Sequence, residues 1–403
     1  MPRIGWPLKS TEGDNVKKIH SVLVAAACGL WIGAAHADIK VGFTAPLSGP
    51  AGAIGQDQYD GFMLAIERLQ GRLGGQSAAV LKEDDQLKPE VGLQAARKLI
   101  EKEKVDVLVG LGYTNVFMAM APLVTQSGVV AIGTNAGPQA VAGAGCKANI
   151  FAMTGQNDGP SEAMGMYAQQ KRYDRTFLLA PNYQAGKEML AGFKRHYKGS
   201  VADEVYPPLN QSDFSAEIAQ IQAARPDALF IFLPGGMGIN FIKQMKQAGL
   251  LGRVPVMSVF TVDGTTLPAL KQQAEGVLAG AMWDAASDGK EAAEFKQAFA
   301  ARYKRIPSLY AAVGYDAGNL LNVAIARLNG NVSDKVAFAA AVKAAGSEFR
   351  SVRGAFRFNT NNMPVQDYHV YQVVKAGTDV TMAQVATPVK AHPDSYHAQC
   401  SLK

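Results

Sequence analysis

The chain contains few of the residues that usually carry nucleophilic or metal chemistry. Its 403 residues include three cysteines, six histidines and three tryptophans. No serine sits in a nucleophile elbow, and the spacing supports no Ser/His or Cys/His pairing. The sequence therefore argues against an enzyme that combines a side-chain nucleophile with a histidine base.

Long apolar runs are also scarce, and the one that stands out is at the N-terminus. Residues 21–35 are mainly apolar, follow two adjacent lysines and lead into Ala35-His36-Ala37, a small-x-small cleavage signal. We predict that residues 1–37 are a secretory signal peptide that is cut after Ala37. The run is short for a membrane span, and no later segment is long enough to be one.

Neither sign of charge dominates the chain. Lysine and arginine number 40 against 34 aspartate and glutamate residues, a net charge of +6. Removal of the predicted signal peptide takes away four basic and two acidic residues, which leaves 366 residues and a charge of +4. The basic residues do not cluster around aromatic ones, so we expect no nucleic-acid partner. A chain of this length usually forms two domains.

The cysteines that remain after cleavage form an even set. Cys28 leaves with the signal peptide, and Cys146 and Cys400 stay. In an exported protein this favours a disulfide between the C-terminal tail and the loop around Cys146. The alternative is a metal site of His392, His397 and Cys400, but one thiol and two histidines make a poor zinc signature.

The fold is organised around the segment Val105–Asn115. Val105–Val109 is typical of a buried parallel strand, and Gly110-Leu111-Gly112 then turns into a helix near Thr114. Such a turn presents free backbone N–H groups, where anions bind. Gly-x-Gly also occurs in dinucleotide sites, but Asn115 stands where the third glycine would be, so that signal is weak. A turn that binds no ligand is the remaining alternative.

Short apolar strands alternate with helices in two successive units, a pattern typical of α/β proteins with helices on both faces of a parallel sheet. Strands are predicted at 39–43, 78–81, 105–109, 129–132, 176–180, 201–206, 227–233, 254–259, 276–283, 354–358 and 368–374. Three helices without intervening strands are predicted at 290–303, 310–328 and 333–345.

We therefore predict two doubly wound parallel-sheet lobes joined by three hinge crossings. The crossings are expected near Gln156, Asp284 and Asn359. The N-terminal lobe would comprise residues 38–156 plus 285–358. The C-terminal lobe would comprise residues 157–284 plus 359–403, including the tail.

Two adjacent carboxylates, Asp84 and Asp85, follow the second predicted strand. They could serve acid–base chemistry together with the Thr/Asn-rich loops, which is the enzyme hypothesis. Strand ends often carry acidic residues that face water or cap the next helix, and we interpret the pair in that structural sense.

The order of these motifs resembles the type I periplasmic solute-binding proteins of ABC importers, the leucine/isoleucine/valine-binding protein family. The residues that carry the resemblance are Ile39–Gly49, Asp84–Asp85, Val105–Gly110, Gly128–Ile132 with the Asn135 loop, and Tyr310–Asn319. The resemblance covers residues 38–375. It implies a periplasmic monomer that closes on a small carboxylate and delivers it to an ABC permease, with no cofactor and no enzymatic activity.

The resemblance also implies a set of ligand-binding residues. The candidates, all in predicted strand-end loops or the adjoining helix starts, are Ile54, Tyr113, Thr114, Asn115, Asn135, Gly137, Tyr183, Gly235 and Asp263. The start of the helix at Tyr113 to Asn115, after the strand Val105–Val109, would bind the carboxylate. Asp263 would pair with an ammonium group, or alternatively cap the helix after it. Tyr183 would stack on the ligand, or alternatively pack within its lobe.

The class of ligand is open between two alternatives. A branched-chain or other apolar amino acid fits the family's type protein, and Asp263 would then bind its ammonium group. The loop at Pro234–Met237 lacks the paired tyrosines of that type protein, and Tyr113, Phe117, Tyr183 and Phe260 could stack on an aromatic carboxylic acid instead. A ligand-sensing receptor module is a third possibility for the same fold.

Overall fold

The structure is a computed structural model in which residues 38–402 are described. The predicted signal peptide lies outside these residues and stays a prediction. Across residues 38–402, no helix combines the length and apolar character needed to span a membrane.

The first sheet contains six strands. They are β1 (Ile39–Ala45), β2 (Arg72–Leu73), β3 (Gln76–Asp84), β4 (Val107–Gly110), β5 (Val130–Gly133) and β6 (Ile150–Ala152). Their order is β2-β3-β1-β4-β5-β6, with β2 antiparallel to β3 at the edge and the other pairs parallel. Every residue of β4 and β5 is buried, which explains their uninterrupted apolar sequences.

The second sheet contains seven strands. They are β7 (Arg175–Leu179), β8 (Ser200–Val205), β9 (Ala228–Ile231), β10 (Val256–Val259), β11 (Leu278–Ala281), β12 (Gln366–Ala376) and β13 (Asp379–His392). Their order is β13-β12-β11-β10-β9-β7-β8. The strands from β7 to β11 are parallel, and β12 and β13 extend the sheet as an antiparallel pair.

Helices cover the sheets. They are α1 (Gly52–Arg68), α2 (Pro89–Arg97), α3 (Thr114–Ser127), α4 (Gln139–Ala142), α5 (Asp158–Gln170), α6 (Gln184–His196), α7 (Ser215–Ala224), α8 (Gly236–Gln247), α9 (Leu267–Leu270), α10 (Lys290–Tyr303), α11 (Leu309–Arg327) and α12 (Lys335–Ala345). Pro89 occupies the first position of α2, where its missing N–H costs nothing. This arrangement confirms the predicted fold class of two α/β lobes.

Over residues 38–402 the chain passes between the two sheets three times, through residues 153–157, 282–289 and 346–365. After the second passage, α11 and α12 return to the first sheet and share its apolar cluster with β1 and β4. The predicted crossings near Gln156, Asp284 and Asn359 lie within these segments. The division of the chain at individual residues stays a prediction.

The predicted strand at 354–358 is wrong. Isolated bridges join Ser351 to Gly354 and Phe358 to Pro364, and no ladder forms between them. Phe356 and Phe358 alternate because their rings pack edge to face in the apolar cluster of the first sheet, with centroids 5.0 Å apart. Side-chain packing alone therefore explains the alternation of apolar residues that predicted a strand in this segment.

Three strands have no counterpart in the predictions. β2 has two residues and β6 has three, too few to display a period. β13 has fourteen residues but lies at the edge of its sheet, and most of its side chains are exposed or half-buried. A mixed polar sequence at an edge carries little of the alternation that identifies a strand.

The C-terminal tail is held to the first lobe by a covalent bond. Cys146, which follows α4, is disulfide-bonded to Cys400, with Cα atoms 5.7 Å apart. The alternative metal site is wrong, because the Cys400 sulfur is already bonded. His392 lies against Glu162 of α5 instead, with Nε2 2.5 Å from a carboxylate oxygen.

Candidate functional site

A cavity lies where the carboxyl ends of the two sheets face each other. Its volume of about 30 Å³ is well below the range of about 300–1,000 Å³ for ligand pockets. Both sheets, the first crossing and the start of α11 contribute to its lining, which comprises Gly112, Tyr113, Thr114, Asn135, Ala136, Asn157, Tyr183, Ala185, Met189, Phe232, Pro234, Phe260 and Tyr310. Loops at this edge of parallel sheets commonly bind ligands.

Two helices of opposite lobes begin at the cavity wall. Tyr113 is the N-cap residue of α3 and Tyr183 that of α6, and neither side chain caps its helix. The first N–H groups of a helix have no partner within the helix, and its dipole makes that end positive. The N-termini of α3 and α6 therefore place a partial positive charge at the cavity from both lobes, which favours the binding of an anion.

A hydrogen-bonded chain runs from Thr114 to the second lobe. Asn157 Nδ2 donates to Thr114 Oγ1 at 3.0 Å and to Glu188 Oε2 at 2.6 Å, and Asn157 Oδ1 accepts from Gly137 N at 2.9 Å. Because the Thr114 hydroxyl accepts from Asn157, its own proton is available to an acceptor in the cavity.

Asn135 and Gly137 shape the loop that follows β5. Asn135 lines the cavity, and its Nδ2 donates to the Gly112 carbonyl oxygen at 2.6 Å, which connects two loops of the cavity wall. A Cβ atom at Gly137 would overlap the carbonyl oxygen of Gly155. Gly137 therefore allows a close approach of the two backbone segments, and it is not part of the cavity lining.

Aromatic rings form much of the remaining wall. Tyr183 stacks on Phe232 with centroids 6.2 Å apart, and Phe232 meets Phe260 edge to face at 6.3 Å. Phe260 in turn stacks on Tyr310 at 6.4 Å. Phe117, the other aromatic candidate, is fully buried beneath β5 and does not line the cavity.

Asp263 is engaged by its surroundings. Its Oδ1 accepts from the backbone N and the hydroxyl of Thr265, at 2.8 and 2.6 Å, and its Oδ2 accepts from the Tyr310 hydroxyl at 3.1 Å. The carboxyl is buried, which raises its pKa, and it is not part of the cavity lining. The Asp263 carboxylate is thus bonded within its own loop and to Tyr310, and its role toward a ligand stays a prediction.

Three further candidates lie away from the cavity wall. Asn115 is in the first turn of α3, but its Nδ2 donates to the Leu87 carbonyl oxygen at 3.3 Å. Gly235 has a φ of 61°, and a Cβ there would lie 2.8 Å from the Pro50 carbonyl oxygen. Ile54 is buried beside the same point. Gly235 and Ile54 therefore belong to a contact between the lobes.

Among the lining residues that are absent from the sequence-based candidates are Asn157, Phe232 and Tyr310. Asn157 lies one residue beyond the predicted crossing at Gln156. Tyr310 begins one of the motifs that carry the family resemblance, and Phe232 is the last residue but one of the apolar run before the Pro234 loop. Their positions at strand ends and crossings were visible in the sequence, but which way each side chain points was not.

The ionisable carboxyl groups near the cavity lie behind its wall and not in the lining. None of the lining residues within the described part of the chain carries a charged side chain. Behind the wall, burial raises the pKa of Asp85 to about 6 and that of Glu188 to about 7. Burial and the nearby carboxylates of Asp263 and Asp85 also raise the pKa of Tyr113. Its hydroxyl therefore stays protonated and can donate a hydrogen bond.

A model of the family described as "Periplasmic binding protein" matches residues 38–378 of the chain. Leu/Ile/Val-binding protein homolog 6 of Brucella melitensis is 26% identical over 375 residues, which cover 90% of this chain and 94% of the relative. Homolog 3 of the same organism is also 26% identical, over 242 residues that cover 59% of this chain and 65% of the relative.

Solved structures of ABC-transporter solute-binding proteins have the same fold. One from R. palustris, in complex with benzoate, is 29% identical, with a TM-score of 0.86 and coverage of 91% of this chain and 100% of its own. Another, from Rhodopseudomonas palustris BisB5 in complex with 3,4-dihydroxybenzoic acid, is 26% identical, with a TM-score of 0.82 and coverage of 89% and 99%.

Proposed function

The chain belongs to the periplasmic binding protein family, the solute-binding proteins of ABC transporters, and we propose that its ligand is a small aromatic carboxylate of the benzoate class. We also propose that residues 1–37 direct export to the periplasm, and that the lobes at 38–156 plus 285–358 and 157–284 plus 359–403 close on the ligand as a monomer. The closed protein then delivers its ligand to an ABC permease and performs no reaction.

The anionic half of the ligand fits the end of the cavity where α3 begins. Free N–H groups, the Thr114 hydroxyl proton and the neutral Tyr113 hydroxyl offer hydrogen-bond donors to a carboxylate. Hydrogen bonds to a charged acceptor are about twice as strong as neutral ones. The site needs no lysine or arginine, because the partial charges of two helix ends supply the positive potential.

The aromatic half of the ligand fits the opposite wall. Tyr183, Phe232 and Phe260 offer faces and edges at which a ring packs in an offset or edge-on geometry. The observation that carries the proposal is the combination of aromatic walls with the absence of any carboxylate among the described lining residues. A zwitterionic amino acid would bring an ammonium group that finds no charged partner there, which costs several kcal/mol.

A branched-chain amino acid is the second candidate, and the names of the Brucella relatives favour it. For that ligand Asp263 would have to release its bond from Tyr310 and turn Oδ2 toward the ammonium group. The two candidates thus differ in their dependence on Asp263.

A thermal-shift panel of the mature chain separates the two candidates. The panel contains benzoate, hydroxybenzoates, leucine, isoleucine and phenylalanine, and a ligand that binds the folded state raises the melting temperature. We expect a shift with the benzoates that persists in Asp263→Asn. A shift with leucine or isoleucine that disappears in Asp263→Asn would overturn the aromatic assignment in favour of the amino-acid one.

A further inference from the structure

Glu188 lies in the second turn of α6, directly behind the cavity wall. Its side chain is 3% exposed. Two other residues of α6 line the cavity: Ala185, three positions before Glu188, and Met189, the next residue. A buried glutamate so close to the ligand needs partners, and those partners span the cleft.

The hydrogen bonds of Glu188 join the two lobes. Its Oε1 accepts from the backbone N of Gln139, which begins α4 on the first lobe, at 3.2 Å, and from Gln184 Nε2 at 2.8 Å. Its Oε2 accepts from Asn157 Nδ2, and the same amide holds the Thr114 hydroxyl. Opening of the cleft would separate Glu188 from Gln139 and expose its carboxyl to water.

Within residues 38–402, no cationic side chain is paired with this carboxyl. The segments α3 and α4 carry no charged residue, and α5 presents Asp158, whose charge disfavours a second anion. Tyr183 faces Glu188 from the start of α6. Arg195, two turns farther along α6, is engaged by Asp158 and Glu162, and Lys187 points to solvent.

We propose that Glu188 is a positioning residue that links closure of the lobes to the orientation of Thr114, and that closure on the ligand takes up a proton at the Glu188 carboxyl. The proton comes from solvent and is returned when the cleft opens. This inference rests on the proposed function, because it takes the ligand's carboxylate as the acceptor of the Thr114 hydroxyl proton.

The direction of the pH effect follows from the two environments. Burial raises the pKa of Glu188 from 4.5 to about 7 in the closed form, and an exposed glutamate in the open form keeps its ordinary value. The closed form therefore binds more protons than the open form, and this proton binding stabilises the closed form relative to the open one. The stabilisation is fully present below the ordinary pKa of glutamate and is lost as the pH rises through about 7. Benzoate remains ionised throughout this range, so the ligand does not contribute to the effect.

The test is calorimetric titration of the mature chain with benzoate at pH 7, in phosphate and in Tris. The two buffers differ in ionisation enthalpy, so the difference between the measured heats counts the protons exchanged. We expect an uptake of about half a proton at pH 7, and a dissociation constant that rises about tenfold from pH 6 to pH 8. Equal heats in the two buffers would overturn the proposal.

Glu188→Gln identifies the group that titrates. The amide keeps the size of the side chain and cannot ionise, so this variant should show no proton uptake and a flat pH profile. Glu217→Gln is the matched control, because Glu217 is a buried glutamate on α7 that accepts from Gln211 and does not line the cavity. It should keep the wild-type profile. A Glu188→Gln profile as steep as the wild-type one would assign the proton elsewhere and contradict the proposal.

The experiment distinguishes this inference from the proposed function. If benzoate gives no heat but leucine does, the aromatic assignment fails and the proton count is made with leucine. If neither binds, small-angle X-ray scattering of the unliganded chain decides, because protonation of Glu188 favours the closed form. The radius of gyration of the wild type should be smaller at pH 6 than at pH 8 and that of Glu188→Gln should not change, and a wild-type radius that is the same at both pH values would overturn the inference.

Discussion

Thr114 shows how a single hydroxyl can be prepared for an anion. Its oxygen receives a hydrogen bond from Asn157, so its proton is directed elsewhere, and it stands at the first position of α3. The sequence predicts Thr114 as a candidate because a strand, a glycine turn and a helix meet there. It does not predict Asn157, because the partner comes from a crossing 43 residues away that only the folded chain brings near.

Thr114→Val removes the hydroxyl and keeps the shape of the side chain. A hydrogen bond to a charged group contributes about 1.5–3 kcal/mol, so we expect the dissociation constant for benzoate to rise by about ten- to a hundredfold. Thr114→Ser should retain most of the affinity. Calorimetric titration measures both variants.

Thr125→Val is the control for this change, because Thr125 lies near the other end of α3 and its hydroxyl donates to the Ala121 carbonyl oxygen. It should leave the affinity unaltered. Equal affinities of Thr114→Val and the wild type would mean that the carboxylate binds somewhere else.

At the scale of elements, burial decides what the sequence can reveal. The strands β4, β5, β9 and β10 are buried along their whole length, so their apolar runs predict them. The edge strand β13 faces water over much of its length and escapes prediction. The aromatic alternation at Phe356 and Phe358 misleads in the opposite direction, because packing between helices and sheet can imitate a period of two.

Gly137→Ala tests how closely the loop after β5 approaches the first crossing. The added methyl group would overlap the Gly155 carbonyl oxygen, so the two segments must separate. We expect the free energy of unfolding to fall by about 1–3 kcal/mol, as overpacking usually costs. Urea denaturation measures the loss.

Gly249→Ala provides the comparison for this loop variant. Gly249 has a φ of 67° and no heavy atom within 4 Å of an added Cβ, so it reports the backbone cost alone, about 1–2 kcal/mol. Gly137→Ala should also weaken benzoate binding, because Gly137 N bonds Asn157, whereas Gly249→Ala should not. Unchanged affinity in Gly137→Ala would separate this loop from the site.

For the whole molecule, the order of strands and helices was sufficient to predict two lobes with three crossings, because each α/β unit closes its own parallel sheet. The even cysteine count likewise predicted the bond between Cys146 and Cys400. The cavity could be predicted only as a set of loops. Which side chains enter it depends on how the lobes meet: Asp263 turns to its own loop and Tyr310, while Asn157 enters the wall from the hinge.

A crystal structure of the mature chain grown with benzoate tests the proposed site most directly. We expect a carboxylate oxygen within hydrogen-bonding distance of Thr114 Oγ1 at the start of α3, and the ring between Tyr183, Phe232 and Phe260. An amino acid retained from expression, with its ammonium group on Asp263, would contradict the assignment. Closed lobes with no benzoate in the cavity between them would also contradict the assignment.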